Sequence, residues 1–298
     1  MCIDLFSIGP LTVHSYGLMI GIGFLLAVLL GSHAAKRRGM DPDAVLSIGL
    51  LAIVVGFLGG KLLYCIVEWR SFLADPLSTL GTSGFVVYGG IVTGCLAVFL
   101  YCRKKRLDTL SYFDLLLPFV AMAQGFGRIG CFMAGCCYGK ATDSFLGVIF
   151  PESGLAPAGI PILPTQLFSA AGDFLLFAVL LLLSRKLKTK GHVFSFYLTL
   201  YSIGRFIIEF FRQDPRGSIG IFSTSQFVSI LTLLLGVASF PLFSALAKKK
   251  SAAKATDSEE AAGSGIPDDT VKNVPAEGSA DPDTNETGSA GQPADDNT

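Results

Sequence analysis

Long apolar blocks alternate with short charged segments along the first 247 residues. A block of about 20 apolar residues is long enough to cross a bilayer as an α-helix. Clusters of lysine and arginine follow the first, third, fifth and seventh blocks, and basic loops stay in the cytoplasm. The pattern therefore predicts an all-α integral membrane protein with about seven transmembrane helices, its N-terminus outside and its C-terminus cytoplasmic. The predicted spans lie near residues 16–35, 44–67, 84–101, 112–137, 164–184, 192–211 and 223–246.

Composition supports a membrane protein and separates the end of the chain from the rest. Hydrophobic residues make up 51% of the 298 positions and charged residues only 15%. The last part of the chain differs, because it is rich in alanine, glycine, serine and acidic residues and holds few large apolar ones. Such a segment cannot bury enough apolar surface to fold alone. We therefore expect a transmembrane domain at 1–247 and a disordered cytoplasmic tail at 248–298, whose simplest role is solubilisation.

The fourth apolar block carries one arginine inside a glycine-rich run, residues 125–139. An arginine at membrane depth costs roughly 2.5–3.5 kcal/mol on insertion scales, so it normally faces a partner or a wet cavity. Because a guanidinium forms paired hydrogen bonds with phosphate oxygens, we expect Arg128 to bind an anionic group. The alternative is a helix-packing run whose arginine extends to the interface. Pro118 in the same block predicts a kinked or broken helix.

A second charged group lies in the sixth apolar block. Arg205, Glu209 and Arg212 are spaced by four and three residues, which places them on one stripe of a helix. Two arginines and one glutamate leave a net positive charge, to which Arg128 adds another. Excess positive charge at membrane depth favours an anionic ligand. The alternative is a stripe of internal ion pairs that orients the helices.

Three of the seven cysteines stand close together, at positions 131, 136 and 137. Free cysteines in apolar segments behave as small hydrophobic residues, so no disulfide framework is predicted. The three are a candidate metal or redox cluster, but all three histidines are distant in the sequence. We therefore predict no metal site, and the redox alternative would use Cys136 and Cys137.

Five short motifs stand in order along the chain, namely residues 6–10 (FSIGP), 14–19 (HSYGLM), 127–140 (GRIGCFMAGCCYGK), 164–167 (PTQL) and 204–213 (GRFIIEFFRQ). With these motifs the chain, from residue 6 to about 247, resembles the prolipoprotein diacylglyceryl transferases. The resemblance implies a seven-span enzyme of the bacterial inner membrane. Such enzymes transfer the diacylglyceryl group from phosphatidylglycerol to the lipobox cysteine thiol of a prolipoprotein, and glycerol 1-phosphate is released.

The resemblance also implies roles for the charged residues. Arg128 and Arg205 would hold the phosphate and stabilise the charge that develops on the leaving glycerol phosphate. Glu209 would orient Arg205 and Arg212, which contribute to substrate binding. Further expected substrate contacts are Gln166, Tyr201, Gly89, Gly90 and Gly139.

Two tyrosines beside glycines complete the expected catalytic set. Tyr16 and Tyr88 stand near the predicted outer ends of their spans, where tyrosine commonly anchors a helix to the interface. The resemblance implies that both position the lipid head group. Many family members have histidine where this chain has Tyr88, and asparagine where it has Cys131. The proton acceptor for the thiol therefore stays open, with Tyr88 the nearest candidate.

Expected partners are phosphatidylglycerol, the lipobox-bearing signal peptide of prolipoproteins and membrane lipids. No metal, organic cofactor or nucleic acid is expected. Two alternatives remain beside the transferase. One is a non-catalytic or divergent family member that binds anionic lipid, and the other is a thiol-redox membrane protein.

Overall fold

Residues 1–252 form the larger of the two units into which the chain divides, and the described part of this unit is mostly helical. A second unit, 253–298, is described only as far as the helical backbone that ends at Gly263. The computed structural model describes residues 4–8, 11–81, 84–151, 155–213 and 218–263.

Nine helices and three two-stranded antiparallel sheets follow one another in these described residues. The first sheet pairs β1 with β2, the second β3 with β4, and the third β5 with β6. In chain order the elements are β1 (Asp4–Ile8), β2 (Leu11–His14), α1 (Ser15–Arg37), α2 (Pro42–Val67), α3 (Trp69–Ala74), α4 (Pro76–Gly81), α5 (Val87–Lys104), α6 (Thr109–Ala134), β3 (Val148–Ile149), β4 (Pro161–Ile162), α7 (Thr165–Lys186), α8 (His192–Glu209), β5 (Ser218–Ile219), β6 (Phe222–Ser223) and α9 (Thr224–Gly263).

Five of the described helices, α1, α2, α6, α7 and α9, are long and apolar enough to cross a membrane. Many large apolar side chains lie on the outer surface, and Phe57, Leu62 and Leu234 are each more than half exposed. Because an extended apolar surface is unfavourable in water, this arrangement suits a lipid environment. The two other predicted segments form α5 and α8, which are 18 residues long and do not belong to these five.

Helix α6 is central to the packing, in contact with α1, α5, α7 and α8. Its residues Leu115 and Ala121 are almost fully buried. The sequence predicts a kinked or broken helix at Pro118. The helix is not broken there, because α6 continues through Pro118, and a kink stays a prediction. Pro118 is itself fully buried, and neighbouring helices make an intramembrane proline tolerable. The helix ends at Ala134, short of the predicted residue 137, because Gly135 takes left-handed backbone with φ 70°.

Helices α2 and α5 pack through a glycine seam that we define as Gly56, Gly59, Gly89 and Gly90. A Cβ added to Gly89 would lie 2.6 Å from the carbonyl oxygen of Gly59. One added to Gly90 would lie 2.7 Å from the carbonyl oxygen of Gly56. Because these neighbours are backbone atoms, the close approach of the two helices requires glycine.

Two acidic residues tie α6 to the start of α8. The Asp114 carboxylate accepts hydrogen bonds from the backbone N–H groups of Gly191 at 2.6 Å and Phe194 at 2.9 Å. A carboxylate at a helix N-terminus satisfies free N–H groups and complements the helix dipole. Asp108 forms an ion pair with Lys190 at the same end.

Hydroxyl groups join α8 to α9. Ser195 lies 2.6 Å from Ser239 and Ser202 lies 2.6 Å from Thr232, each distance measured between hydroxyl oxygens. Such interhelical hydrogen bonds hold membrane helices together where apolar packing alone gives little preference for one partner.

Helix α9 extends beyond the last predicted span. The sequence predicts disorder from residue 248, but the backbone is helical as far as Gly263. Alanine, lysine and glutamate, which are good helix formers, are frequent in this segment. Residues 264–298 lie outside the described part of the chain, and for them disorder stays a prediction.

Candidate active site

A cavity of ≈ 440 Å³ lies between α7 and α8 and reaches the C-terminal part of α6. Polar groups enter it from all three helices, namely Arg128 of α6, Asp173 of α7, and Tyr201 and Arg205 of α8. We call this the charged cavity. Most of its remaining wall is apolar, and some of that wall, including Leu175, is also exposed on the outer surface. A space with a charged end and an apolar wall suits an amphiphile such as a lipid. The apolar lining residues are Phe168, Leu175, Leu176, Val179, Leu200, Ile203, Ile207 and Ile208.

The Arg128 guanidinium is half-buried and has electrostatic contact with Tyr201 and Asp173. No hydrogen bond or ion pair joins Arg128 to another residue in the described part of the chain. The fork of N–H donors therefore remains available toward the cavity. Such a group binds two phosphate oxygens at once.

Arg205 is held in a network around Glu209. Its Nη1 lies 2.8 Å from Oε2 of Glu209, and its Nη2 donates a hydrogen bond of 2.8 Å to the Ser225 hydroxyl. The other carboxylate oxygen, Oε1, accepts a hydrogen bond from Ser223. Arg212 Nε is 4.0 Å from Glu209 Oε2. Glu209 thus orients both arginines, and the site retains more positive than negative charge.

The predicted helical stripe is only partly realised. Arg205 and Glu209 lie on α8, but the helix ends at Glu209, and Arg212 lies in the segment that follows it. There the backbone of Arg212 forms an isolated antiparallel β-bridge with that of Gly139, and the Arg212 side chain is buried. A Cβ on Gly139 would lie 2.6 Å from the Leu163 carbonyl oxygen, so three chain segments converge where only glycine fits.

Gln166 anchors the segment that follows α6. Its side-chain amide donates a hydrogen bond of 2.8 Å to the carbonyl oxygen of Cys136. Thr165 donates a similar bond of 3.0 Å to the carbonyl oxygen of Cys137. Gln166 is 1% exposed and does not line the charged cavity. Its observed contact supports the backbone beside Arg128, and direct contact with substrate stays a prediction.

Tyr16 lies against the end of α6. A Cβ on Gly130 would be 3.1 Å from Cδ2 of Tyr16, so the ring packs on the glycine face of that helix. Tyr16 also has electrostatic contact with Arg128. The structure therefore brings this predicted site residue to the arginine, and glycine is what allows the approach.

Tyr88, Gly89 and Gly90 lie elsewhere, on α5. The two glycines belong to the glycine seam with α2. None of the three residues lines the charged cavity. Their predicted contact with substrate is not tested by this geometry, which assigns the glycines a packing role.

Sequence reasoning missed Asp173. Its side chain is 7% exposed, lines the charged cavity and has electrostatic contact with Arg128 and Arg205. No hydrogen bond or ion pair to it occurs among the residues described. The available signal was a single carboxylate inside the fifth apolar block, since such residues in a membrane span are usually functional.

Three cysteine thiols meet at the C-terminal end of α6, Cys131 within the helix and the other two just after it. The Sγ atoms of Cys131, Cys136 and Cys137, here called the thiol cluster, lie within 4.8 Å of one another. Hydrogen bonds from the other two thiols lower the pKa of the Cys137 thiol, and the positive charge of Arg212 lowers it further, although burial acts in the opposite direction. Sequence reasoning set this cluster aside because no histidine is near, whereas the fold assembles it from cysteine alone.

Comparison with known proteins places these features in a family. Residues 4–241 match the model of the family described as prolipoprotein diacylglyceryl transferase. A phosphatidylglycerol–prolipoprotein diacylglyceryl transferase of Clostridium tetani is 48% identical over 238 residues, which cover 79% of this chain and 95% of the relative. One from Clostridium perfringens is 47% identical, with 80% and 93% covered, and one from Streptococcus uberis is 35% identical, with 78% and 91% covered. The chain belongs to the prolipoprotein diacylglyceryl transferase family.

Proposed function

We propose that this protein transfers the diacylglyceryl group of phosphatidylglycerol to the lipobox cysteine thiol of prolipoproteins and releases glycerol 1-phosphate. The observation that carries the proposal is the charged cavity. Arg128 and Arg205 stand at its polar end, and apolar side chains of α7 and α8 form the rest of its wall. The head group of an anionic lipid would meet the arginines while its acyl chains remain in contact with apolar surface.

In the reaction, the thiol sulfur attacks the carbon of the diacylglyceryl group that is bonded to a phosphate oxygen. The new C–S bond forms as the C–O bond breaks, and the electron pair leaves with the phosphate oxygen. Arg128 and Arg205 would stabilise the charge that develops there, as donors positioned before the reaction begins. Glu209 would keep Arg205 and Arg212 oriented through the ion pairs described above. Tyr16, beside Arg128, would position the head group.

The proton of the thiol also needs an acceptor. Asp173 lines the same cavity as both arginines, whereas Tyr88 does not. We therefore assign proton acceptance to Asp173 and leave Tyr88 the role of a head-group contact near the outer end of α5. A base must lie within reach of the proton that it takes, and of the two candidates Asp173 and Tyr88, Asp173 is the one that lines the cavity.

In its membrane the chain would cross seven times, with α5 and α8 as the two additional spans. The supporting observation is that basic clusters follow α1, α5, α7 and the apolar part of α9. This orientation keeps the N-terminus outside and the thiol cluster, Arg128 and the loop between α6 and α7 on the outer side. Prolipoproteins would meet the enzyme there, in the bacterial inner membrane, through their signal peptides.

Complementation of a bacterium depleted of its own transferase tests this function. The chain should restore growth and prevent accumulation of unmodified prolipoprotein, and Arg128→Ala at equal membrane abundance should do neither. If the wild-type chain is present in the membrane and prolipoprotein still accumulates, the transferase assignment fails. Binding of phosphatidylglycerol vesicles without complementation would then identify a non-catalytic lipid-binding member of the family.

A further inference from the structure

We infer that the thiol cluster of Cys131, Cys136 and Cys137 is a binding site for a thiophilic metal ion, with Zn²⁺ the ion of choice. The inference goes beyond lipid transfer, which draws its reacting thiol from the substrate. Three Sγ atoms lie within 4.8 Å of one another at the outer end of α6. A disulfide needs two sulfurs, and the convergence of three is the arrangement that a metal requires.

The spacing of the thiols suits zinc. A Zn–S bond is about 2.3 Å long, so sulfurs around a tetrahedral ion lie roughly 3.8 Å apart. The sulfurs are therefore within about 1 Å of their bonded separations before an ion binds. Three protein ligands leave one position of a tetrahedral ion for water or another small ligand.

The backbone holds the three cysteines in this arrangement. After α6, Gly135 and Cys137 both take left-handed backbone, with φ values of 70° and 63°, and the chain turns back over the helix end. Positive φ at a cysteine is strained backbone and persists only where surrounding contacts fix it. Here the N–H of Cys136 donates to the Cys131 carbonyl oxygen at 3.1 Å. The carbonyl oxygens of Cys136 and Cys137 accept the hydrogen bonds from side chains of α7 described above.

The surrounding charge also suits a metal bound by thiolates. Three thiolates around a divalent ion leave one negative charge. The Arg212 side chain donates a hydrogen bond to the Cys137 sulfur, and Arg128 has electrostatic contact with Cys131 and Cys137. Arginine is therefore placed to balance that charge. An ion in the cluster would join the end of α6 to the loop that α7 anchors.

Zinc binding by the full-length protein in detergent, purified under reducing conditions, tests the inference. After removal of metal with a chelator, the protein is titrated with Zn²⁺ against a competing indicator, and bound zinc is counted by mass spectrometry. We expect one zinc per chain, with about three sulfur neighbours at about 2.3 Å in X-ray absorption. The Cys131→Ala/Cys136→Ala/Cys137→Ala variant should bind at least about 100-fold more weakly, because loss of a residue that only supports a metal ligand already costs about 10- to 100-fold in affinity.

A matched control removes Cys65, Cys95 and Cys102, which lie outside the thiol cluster. Their replacement by alanine should leave zinc binding unchanged. The single variant Cys136→Ala provides a second test that does not depend on correct folding of the triple variant. In it, the number of sulfur neighbours of the bound zinc should fall from three to two. Unchanged zinc binding in the cluster variant, zinc without sulfur neighbours, or no zinc in the wild-type protein would each overturn the inference.

Discussion

The glycine seam and the end of α6 are both rich in glycine, but the glycines have different structural roles in the two regions. In the seam, Gly89 and Gly90 of α5 lie against the backbone carbonyl oxygens of Gly59 and Gly56 of α2. At the end of α6, Gly130 admits the Tyr16 ring, and Arg128 on the same helix enters the charged cavity. Glycine in both regions thus indicates close packing. The region that can also bind a ligand is the one in which a charged side chain has N–H donors directed at a cavity.

The comparison predicts the largest loss of activity at Arg128. Arg128→Lys keeps the charge but loses the paired donors, and one charge-assisted hydrogen bond contributes about 1.5–3 kcal/mol. This corresponds to a rate loss of about 10- to 150-fold for Arg128→Lys, and Arg128→Ala, the most damaging change, should abolish turnover. The measurement is turnover of phosphatidylglycerol at equal enzyme abundance. Wild-type turnover by Arg128→Lys would exclude a paired phosphate contact.

Asp173→Asn should be the next most damaging change. It removes the proposed proton acceptor but keeps nearly the same shape, so turnover should fall by about 10²- to 10³-fold, within the range typical of a general base. The acidic limb of the pH–rate profile should disappear with it, while affinity for phosphatidylglycerol is kept. Asp173→Glu should recover part of the rate. An unchanged pH profile in Asp173→Asn would leave this carboxylate without a catalytic role.

In the glycine seam, substitution should damage folding before catalysis. Gly89→Ala places a methyl group 2.6 Å from the Gly59 carbonyl oxygen, and overpacking typically costs about 1–3 kcal/mol. We expect a lower melting temperature in detergent, with an unchanged KM for phosphatidylglycerol in the folded fraction. Gly21→Ala is the matched control, since a Cβ there meets no atom within 4 Å. Normal stability with a raised KM would instead make Gly89 a substrate contact.

Tyr88→Phe should have a smaller effect, about 2- to 12-fold on turnover, since loss of a single neutral hydrogen bond is worth about 0.5–1.5 kcal/mol. The variant separates the two candidate proton acceptors. A loss as large as that of Asp173→Asn, together with a changed pH profile, would return the proton acceptor to Tyr88.

Truncation after Gly263 should have the smallest effect. The removed residues, 264–298, are polar and acidic and hold few large apolar side chains. Membrane abundance and transfer should match those of the full chain. Reduced transfer by a normally abundant truncation would give the tail a functional role.

Hydrophobic pattern and isolated charges account for what could be predicted. Each predicted apolar segment forms a helix of at least 18 residues, and five of these helices are long and apolar enough to cross a membrane. Arg128, Arg205 and Glu209 stood out because charge is rare in such segments. Arg212 left the helical stripe because α8 ends three residues earlier, at Glu209, and the chain there pairs with Gly139.

The remaining features depend on contacts between distant segments. Asp173 becomes a candidate site residue only because the packing of α7 brings it into electrostatic contact with Arg128. The thiol cluster forms only because the chain turns back at Gly135. Sequence spacing describes neighbours on one helix, whereas these arrangements arise from packing and left-handed backbone. The continuity of α6 through Pro118 is likewise a consequence of the helices around it.

The most direct test of the charged cavity is transfer by the purified protein in vesicles of phosphatidylglycerol that is labelled in both head group and acyl chains. A lipobox peptide should gain one diacylglyceryl group on its cysteine, with one glycerol 1-phosphate released for each modified peptide. A peptide with serine at that position, and vesicles of phosphatidylcholine, should give no product. Equal release and modification in the wild type, both lost together in Arg128→Ala, is the predicted result. Turnover by Arg128→Ala equal to that of the wild type would contradict the account. So would the absence of peptide modification by folded wild-type protein.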